Sequence, residues 1–246
     1  DVCSSDLDRG VAQDSWVHNS DKGTWKYYGD EEEPKLHTGW FEAVPSKELN
    51  SDDHENGTTH WYYANSKGEI TIPTADGEVG VVKTIDGKSY LFNSDGEMVT
   101  GLRILTYDGS KITNISSEVD TADTVKNMNS DTMKLVYFES NGAAKTGTTT
   151  ITLDGTSYTF SFKSNGSPRG VGETGISDGY IYQNGLRLTA DEDTKYGVVT
   201  YKNESYVVNE KGSIQKNKKN LKDADETYYC TNAKVSYSTP VLKSVL

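Results

Sequence analysis

The sequence predicts an all-β protein built as an array of stacked β-hairpin repeats with loop insertions. One observation is repetition, because short segments with the same order of residue types recur along the chain. Another is composition, since 23 Gly and 16 Tyr favour turns and strands over helices. Aromatic residues also make up 10% of the chain, whereas disordered chains are poor in them. We therefore expect a folded chain that buries rings more than aliphatic side chains.

Each repeat begins with an aromatic run, continues into a turn that contains Gly, and leaves on a second short run. Tyr158, Phe160 and Phe162 alternate with polar residues, which places all three rings on one face of a strand. Pairs such as Asp86-Gly87 supply the positive φ that tight hairpin turns need. One hairpin is too small to bury its own ring face, so neighbouring hairpins must stack. The copies span residues 25–30, 61–70, 90–101, 137–147, 158–166, 180–185 and 206–212.

The repeats divide the chain into four parts. Residues 1–105 hold the tryptophan-containing repeats, with an insertion near 45–59, and residues 134–215 hold degenerate copies with Tyr and Phe. Between them lies a polar insertion, 106–133, in which 121–133 has weak helical character. Residues 216–246 form a C-terminal tail or partial repeat, and we expect 227–230 to be the first strand of a further hairpin.

Charge and hydropathy exclude two classes of partner. The 25 Lys and Arg against 37 Asp and Glu give a net charge of −12, which argues against nucleic acid and against anionic lipid surfaces. No apolar run is long enough to predict a transmembrane segment. Because the sequence begins at Asp1 without Met, we expect a mature fragment whose targeting signal lies outside it. Whether Cys3 and Cys230 pair stays open, and so does the oligomeric state.

Catalytic and metal chemistry are not predicted. Acidic runs such as Asp52-Asp53 fall in predicted loops, and nothing in the sequence marks a pair of carboxylates for glycoside hydrolysis. None of the histidines has the spacing of a zinc site, so we expect exposed surface histidines and no cofactor. The histidines are His18, His37, His54 and His60.

The repeats resemble the cell-wall-binding repeats of Gram-positive surface proteins, which include choline-binding and glucan-binding modules. Gly39-Trp40 followed by Trp61-Tyr62-Tyr63 and Gly68 matches the family pattern, split by the insertion. The segment from Gly96 to Gly101 matches the step from one repeat to the next. The resemblance implies an elongated β-solenoid, with ligands held between successive hairpins by aromatic faces that cage choline or stack on sugar rings.

By the resemblance, the aromatic residues of the first repeats bind the ligand. The alternative is that these rings form the interior of the array, and the sequence leaves both interpretations open. For the aromatic residues Tyr90, Phe92, Tyr137, Phe138, Phe160 and Phe162 we expect core packing. The predicted ligand-binding residues are Trp16, Trp25, Tyr27, Trp40, Trp61 and Tyr63.

The expected function is that of a non-catalytic, extracellular, cell-surface module that anchors a protein to cell-wall polymer, glucan or choline. The rival interpretation is a structural spacer or protein-adhesion array with no small ligand. The two differ in one observable, because only the first requires a saturable site lined by aromatic rings.

Overall fold

The structure, a computed structural model, describes residues 15–29, 34–166 and 169–231. These residues form two compact units. The first comprises the described residues up to Glu118 together with Asp131–Lys145, and the second comprises Val119–Ser130 together with the described residues from Thr146 onward. Residue 30 of the first predicted copy, Cys3 and residues 232–246 of the predicted tail lie outside the described residues.

The regular secondary structure of the first unit is antiparallel strand apart from one short helix, which agrees with the all-β prediction. Strands β1 and β2 pair as one hairpin, β3 and β4 as the next, and five strands form a sheet in the order β6-β5-β8-β7-β9. The strands are β1 (Trp16–Asn19), β2 (Thr24–Tyr27), β3 (Gly39–Ala43), β4 (His60–Ala64), β5 (Gly80–Ile85), β6 (Lys88–Asn93), β7 (Gly101–Asp108), β8 (Lys111–Ile115) and β9 (Met133–Phe138).

The second unit has the same character. Five of its strands form a sheet in the order β10-β11-β14-β13-β12, and the pairs β15-β16 and β17-β18 are two-stranded. Its strands are β10 (Gly147–Leu153), β11 (Thr156–Phe162), β12 (Gly175–Ser177), β13 (Tyr180–Gln183), β14 (Leu186–Arg187), β15 (Tyr196–Tyr201), β16 (Glu204–Asn209), β17 (Leu221–Lys222) and β18 (Tyr228–Tyr229). The segment 227–230 thus supplies the second strand of its hairpin, not the first as predicted.

One turn is repeated after several of the hairpins and explains the sequence pattern. At the end of β6, the side-chain oxygen of Asn93 accepts from the backbone N–H groups of Asp95 and Glu97, at 3.0 and 2.8 Å. Asn65 and Asn209 make the same pair of bonds in their own turns. Because each Asn satisfies two turn N–H groups, the Asn-x-x-Gly sequence closes the turn locally.

A backbone hydrogen bond then ties each turn to the hairpin before it. In the first unit, the N–H of Met98, two residues after the turn glycine, donates to the carbonyl of Trp61 at 2.8 Å. Ala144 donates to Ser89 in the same way, also at 2.8 Å. These bonds join neighbouring hairpins at their strands, which is the stacking that the repeats require.

Aliphatic side chains outnumber rings in the cores, because more Leu, Ile and Val than Trp, Tyr and Phe are buried among the described residues, so the expectation that rings would dominate the buried surface is wrong. Four phenylalanines predicted as core are fully buried, whereas Tyr90 and Tyr137 are half-buried. The cluster around β1 to β4 holds Trp16, Trp25, Phe41, Ala43, Tyr62, Ala64 and Ile70. A cluster of the second unit holds Ile181, Ala190, Tyr206 and Val208. The buried phenylalanines are Phe92, Phe138, Phe160 and Phe162.

Two short helices lie in the two predicted insertions. Helix α1 (Ser51–Asn56) begins after Asn50, whose side chain accepts from the N–H of Asp53, and ends at Gly57 with φ +67°. Helix α2 (Ala122–Asn127) begins after Thr121 and lies within the segment of predicted helical character. The segment 106–133 also contains β8, which pairs with β5 and β7, so it contributes a strand to a sheet as well as a loop.

Candidate functional site

Two of the predicted ligand-binding tryptophans are core residues by their burial. Trp16 and Trp25 are each 8% exposed. The Trp16 ring lies 4.9 Å from the rings of both Tyr27 and Tyr62, and its indole N–H donates to the carbonyl of Val44 at 2.8 Å. Trp25 stacks on His18 with 4.3 Å between ring centroids. Protein atoms therefore cover the faces that a ligand would use, and the alternative of core packing matches these residues.

Two other predicted residues, Trp40 and Tyr63, meet at the junction of two hairpins. They are cross-strand partners in the β3–β4 hairpin, and their rings pack edge to face at 5.1 Å. The next hairpin, β5–β6, contributes Tyr90 at 4.8 Å from Trp40, and the buried ring of Phe92 closes the base at 5.8 Å. Trp40, Tyr63 and Tyr90 are half-buried. We refer to Trp40, Tyr63, Tyr90 and Phe92 as the aromatic cluster.

A cation of the protein already lies at this cluster. The ammonium nitrogen of Lys83 is 5.5 Å from the centroid of the Tyr63 ring. Lys83 is the cross-strand partner of Tyr90 in the β5–β6 hairpin, so the strand register places it here. Because ring faces carry negative charge, they attract ammonium groups at such distances. The cluster therefore has the composition and the accessibility of a site for a cationic head group.

The burial and ring contacts of Tyr90 and Trp61 differ from what the sequence predicts. Tyr90 was expected in the core, but it is half-buried and belongs to the aromatic cluster. Trp61 was expected to bind ligand and is 45% exposed, but among the described residues no aromatic ring lies against it. The alternation on β6 places Tyr90 and Phe92 on the same face of the strand, so the sequence carries no signal that separates the half-buried ring from the buried one.

A cavity of about 490 Å³ opens beside the turn that follows β6. Its wall includes His60, Asn93, Glu97, Met98 and Arg103. The Arg103 guanidinium donates to the carbonyls of Thr100 and Ser116, at 2.7 and 3.4 Å. The wall of the cavity is therefore partly polar, and it includes His60 and Glu97, which belong to a cluster of ionisable groups.

That cluster consists of Asp53, His60 and Glu97, which we call the acid–histidine cluster. The Nε2 atom of His60 lies 2.9 Å from Asp53 Oδ2 and 3.6 Å from Glu97 Oε1. Asn50 donates from its Nδ2 atom to both carboxylates, at 2.8 and 3.0 Å. Glu97 is 7% exposed, which makes it one of the few buried charged residues of the described chain. The three ionisable side chains come from α1, from β4 and from the turn after β6.

The expectation of four exposed histidines is wrong for two of them. His18 and His54 are exposed, but His37 and His60 are half-buried. The sequence could not reveal the partners of His60, because Glu97 belongs to the next hairpin and meets it only through stacking.

A buried phenol lies next to this cluster. Tyr62 is fully buried, and its hydroxyl has no hydrogen-bond partner among the described residues. Burial raises the pKa of Tyr62 far above its ordinary value, and the charges of Glu97, Asp95 and Asp53 raise it further. Burial likewise raises the pKa of Asp95. Negative charge is therefore concentrated around this part of the first unit.

No helix of the described residues is both long enough and apolar enough to cross a membrane. No family model matches the sequence, and a comparison with curated proteins gives no significant match. Solved structures do match. Choline binding protein F from Streptococcus pneumoniae is 19% identical, with 92% of this chain and 58% of that chain covered and a TM-score of 0.52.

A structure of CbpF in complex with ipratropium is 20% identical, with 92% of this chain and 60% of that chain covered and a TM-score of 0.54. This chain therefore spans less than two thirds of the length of these two structures. Identities this low establish likeness of the backbone and nothing finer. The chain has the fold of the choline-binding proteins, the family that its repeats resemble in sequence.

Proposed function

We propose that this chain is a non-catalytic binding module that attaches a protein to cell-wall polymer at the cell surface, through choline substituents held by the aromatic cluster. The observation that carries the proposal is the meeting of Trp40, Tyr63 and Tyr90 from two successive hairpins. A fold shared with structures named for choline binding supports choline as the first ligand to test. The hairpins would then stack as a β-solenoid outside the cell, with sites at their junctions.

The geometry favours a quaternary ammonium group. The rings of Trp40 and Tyr63 are inclined at 68° and present a face and an edge to the same point, and the Lys83 ammonium already lies 5.5 Å from the centre of the Tyr63 ring. Cation–π attraction supplies about 0.5–2 kcal/mol per ring. Two or three rings therefore support a dissociation constant on the order of millimolar for choline alone. Several such sites along a polymer would raise the apparent affinity by avidity.

The charge of the chain also favours a cationic substituent over the polymer backbone. A protein with net charge −12 is not attracted to an anionic polymer as a whole. Choline groups carry the opposite charge and extend from the polymer, so recognition can occur without close approach of the like charges. A neutral glucan, the other ligand class that the rings suit, would bind with little dependence on salt.

The test is a titration of tryptophan fluorescence with choline and, separately, with soluble glucan fragments. The protein's tryptophans all lie between Trp16 and Trp61, so they report on the first unit. We expect a saturable change with choline that is lost in Trp40→Ala. Trp61→Ala is the matched control, because Trp61 is exposed and lies outside the aromatic cluster.

Three outcomes discriminate the alternatives. Loss of the choline response in Trp40→Ala with retention in Trp61→Ala supports the proposed site. A saturable response to glucan but not to choline would contradict the choline assignment while retaining a binding module. No response to either ligand would favour the structural spacer, for which the burial of Trp16 and Trp25 in the core already provides a role.

A further inference from the structure

The acid–histidine cluster has the geometry of a metal site. The ligand atoms of Asp53, His60 and Glu97 all lie within 4.8 Å of one another. Around one Zn²⁺ ion, nitrogen and oxygen ligands about 2.1 Å from the metal stand about 3.4 Å apart in a tetrahedral arrangement. The separations of 2.9 and 3.6 Å from His60 Nε2 to the two carboxylates bracket that value. We propose that Asp53, His60 and Glu97 bind a divalent transition-metal cation of the Zn²⁺ class.

Charge balance supports a cation at this point. Glu97 is buried, and in the described part of the chain its ion-pair partner is His60, with no lysine or arginine within 4 Å. Asp53 shares the same imidazole, so two carboxylates face one histidine. A buried carboxylate that lacks a full counter-charge is costly, and a divalent ion would neutralise both at once.

The hydroxyl of Tyr62 is a second and independent observation. The residue is fully buried and its oxygen has no hydrogen-bond partner in the described residues, which is rare for a buried polar atom. Tyr62 lies two residues after His60 on β4, so both side chains project from the same face of the strand. A water molecule bound to an ion at the cluster would give this hydroxyl the partner that it lacks.

The surrounding residues fix the ligands in place, as outer partners do in metal sites. Asn50 caps α1 through its oxygen and bridges Asp53 and Glu97 through its Nδ2 atom. Asn93 donates to the other oxygen of Glu97 at 2.9 Å, which turns Oε1 towards His60. The cavity beside His60 and Glu97 offers a path by which an ion can enter. An ion here would link the inserted helix α1 to the turn of the next hairpin.

The ligand types select the metal. One imidazole with two carboxylates suits Zn²⁺ and, more weakly, Mn²⁺. Ca²⁺ requires six to eight oxygen ligands, and Mg²⁺ prefers oxygen in a strict octahedron, so neither matches three side chains that include a nitrogen. We therefore expect the order of affinity Zn²⁺, then Mn²⁺, with Ca²⁺ and Mg²⁺ far weaker.

The experiment is calorimetric titration of the chelator-treated protein with each of these ions, together with thermal unfolding followed by tryptophan fluorescence. A Zn²⁺ concentration about 100 times the dissociation constant should raise the melting temperature by on the order of 5–10 °C. The imidazole ¹⁵N signals of His60 should shift on Zn²⁺ addition, which locates the ion directly.

Three variants test the assignment. His60→Gln and Glu97→Gln should each weaken Zn²⁺ binding by at least about tenfold, because removing a ligand costs no less than removing an outer partner. His54→Gln is the matched control, since His54 is exposed on α1 next to Asp53 in the sequence and is not a member of the cluster. Circular dichroism establishes that each variant is folded before the titration.

The proposal is overturned if wild-type protein and His60→Gln bind Zn²⁺ equally, or if neither binds it. It is also overturned if Ca²⁺ binds more tightly than Zn²⁺, because that would indicate an oxygen-only site. Loss of choline binding in the fluorescence titration would leave the Zn²⁺ result unaffected, since the aromatic cluster shares no residue with the metal ligands.

Discussion

Trp40 and Tyr90 come from different hairpins, and their rings pack edge to face with 4.8 Å between centroids. Neither hairpin alone forms the aromatic cluster, because β3–β4 supplies Trp40 and Tyr63 while β5–β6 supplies Tyr90 and Phe92. The site therefore depends on the stacking of successive hairpins, and whatever loosens the stacking will also weaken the site. The turns that control this stacking are the first place to test the argument.

Gly96→Ala should destabilise the first unit more than Gly87→Ala. Both glycines have a positive φ, +78° and +76°, so both substitutions incur the left-handed penalty of about 1–2 kcal/mol. A Cβ atom at Gly96 would also lie 2.7 Å from Ile70 and 2.9 Å from Ile72, whereas one at Gly87 would meet nothing within 4 Å. We expect Gly96→Ala to cost about 1–3 kcal/mol beyond Gly87→Ala.

Urea unfolding followed by tryptophan fluorescence measures this difference. Since the two variants share the φ penalty, the difference between their free energies of unfolding measures the cost of the close contact between one repeat and the next. Equal unfolding midpoints would show that the turn glycine is needed for its φ alone and that the hairpins do not pack tightly there.

Glu69→Gln should flatten the loss of stability in acid. The Asn65 side-chain amide donates to the Glu69 carboxylate at 2.9 Å and holds the pKa of Glu69 below its ordinary value. A lowered folded pKa means that the ionised form stabilises the fold above the unfolded pKa of about 4.3, and this contribution disappears as the pH falls through the folded pKa. The variant lacks that contribution at every pH.

Unfolding midpoints at pH 7, 5 and 3 provide the measurement. The gap between wild type and Glu69→Gln should be present at pH 7 and should close towards pH 3. Glu210→Gln is the control, because Glu210 is exposed in the corresponding turn of the second unit. Curves for wild type and Glu69→Gln that remain parallel across this range would contradict the prediction.

Asn184→Ala should cost more than Asn184→Gly in the second unit. Asn184 is 6% exposed, has φ +53°, and donates from its side chain to the carbonyl of Val125 at 3.1 Å. That carbonyl belongs to the last turn of α2, where it has no helical partner. Leaving it unpaired costs about 1–3 kcal/mol in either variant.

Alanine adds the left-handed penalty that glycine avoids, about 1–2 kcal/mol. Thermal unfolding followed by circular dichroism compares the two variants with Asn203→Ala, an exposed turn position with φ +62° that measures the backbone penalty alone. If Asn184→Gly is as stable as wild type, the bond to Val125 contributes nothing to holding α2.

The local features of the fold could be predicted from the sequence because they depend on neighbouring residues. Alternation on β11 predicts the burial of Phe160 and Phe162, and the turn from Asn93 to Gly96 forms where its sequence indicates. A position that needs a positive φ is not always occupied by glycine. Asn217 takes φ +53° five residues after Gly212, where the earlier repeats have Gly101 and Gly147.

Contacts between hairpins could not be predicted, since periodicity within a strand does not say which strand will lie beside it. The predicted fourth copy ends at a turn glycine, Gly166, but the backbone N–H of Gly170 is the group that donates back to the strand end, to the carbonyl of Lys163 at 3.0 Å. The meeting of His60 with Glu97 likewise depends on how one hairpin stacks on the next. For the same reason the sequence could name Trp40 and Tyr63 as ligand candidates but could not add Tyr90 to them.

Lys83→Gln should tighten choline binding at the aromatic cluster. The Lys83 ammonium lies 5.5 Å from the centre of the Tyr63 ring, so it competes with a choline head group for the face of that ring. Its removal frees a ring face worth about 0.5–1 kcal/mol to a cation at an exposed site, which corresponds to a two- to fivefold gain in affinity.

Removing any positive charge also strengthens the general attraction of an acidic protein for a cation, so a control of equal charge is needed. Lys88→Gln provides it, because Lys88 is exposed in the same hairpin and lies outside the cluster. Fluorescence titration at 0.15 M salt compares the variants where the general field is screened beyond about 8 Å. A gain that appears equally in both variants would assign the effect to net charge and would contradict a specific role for Lys83.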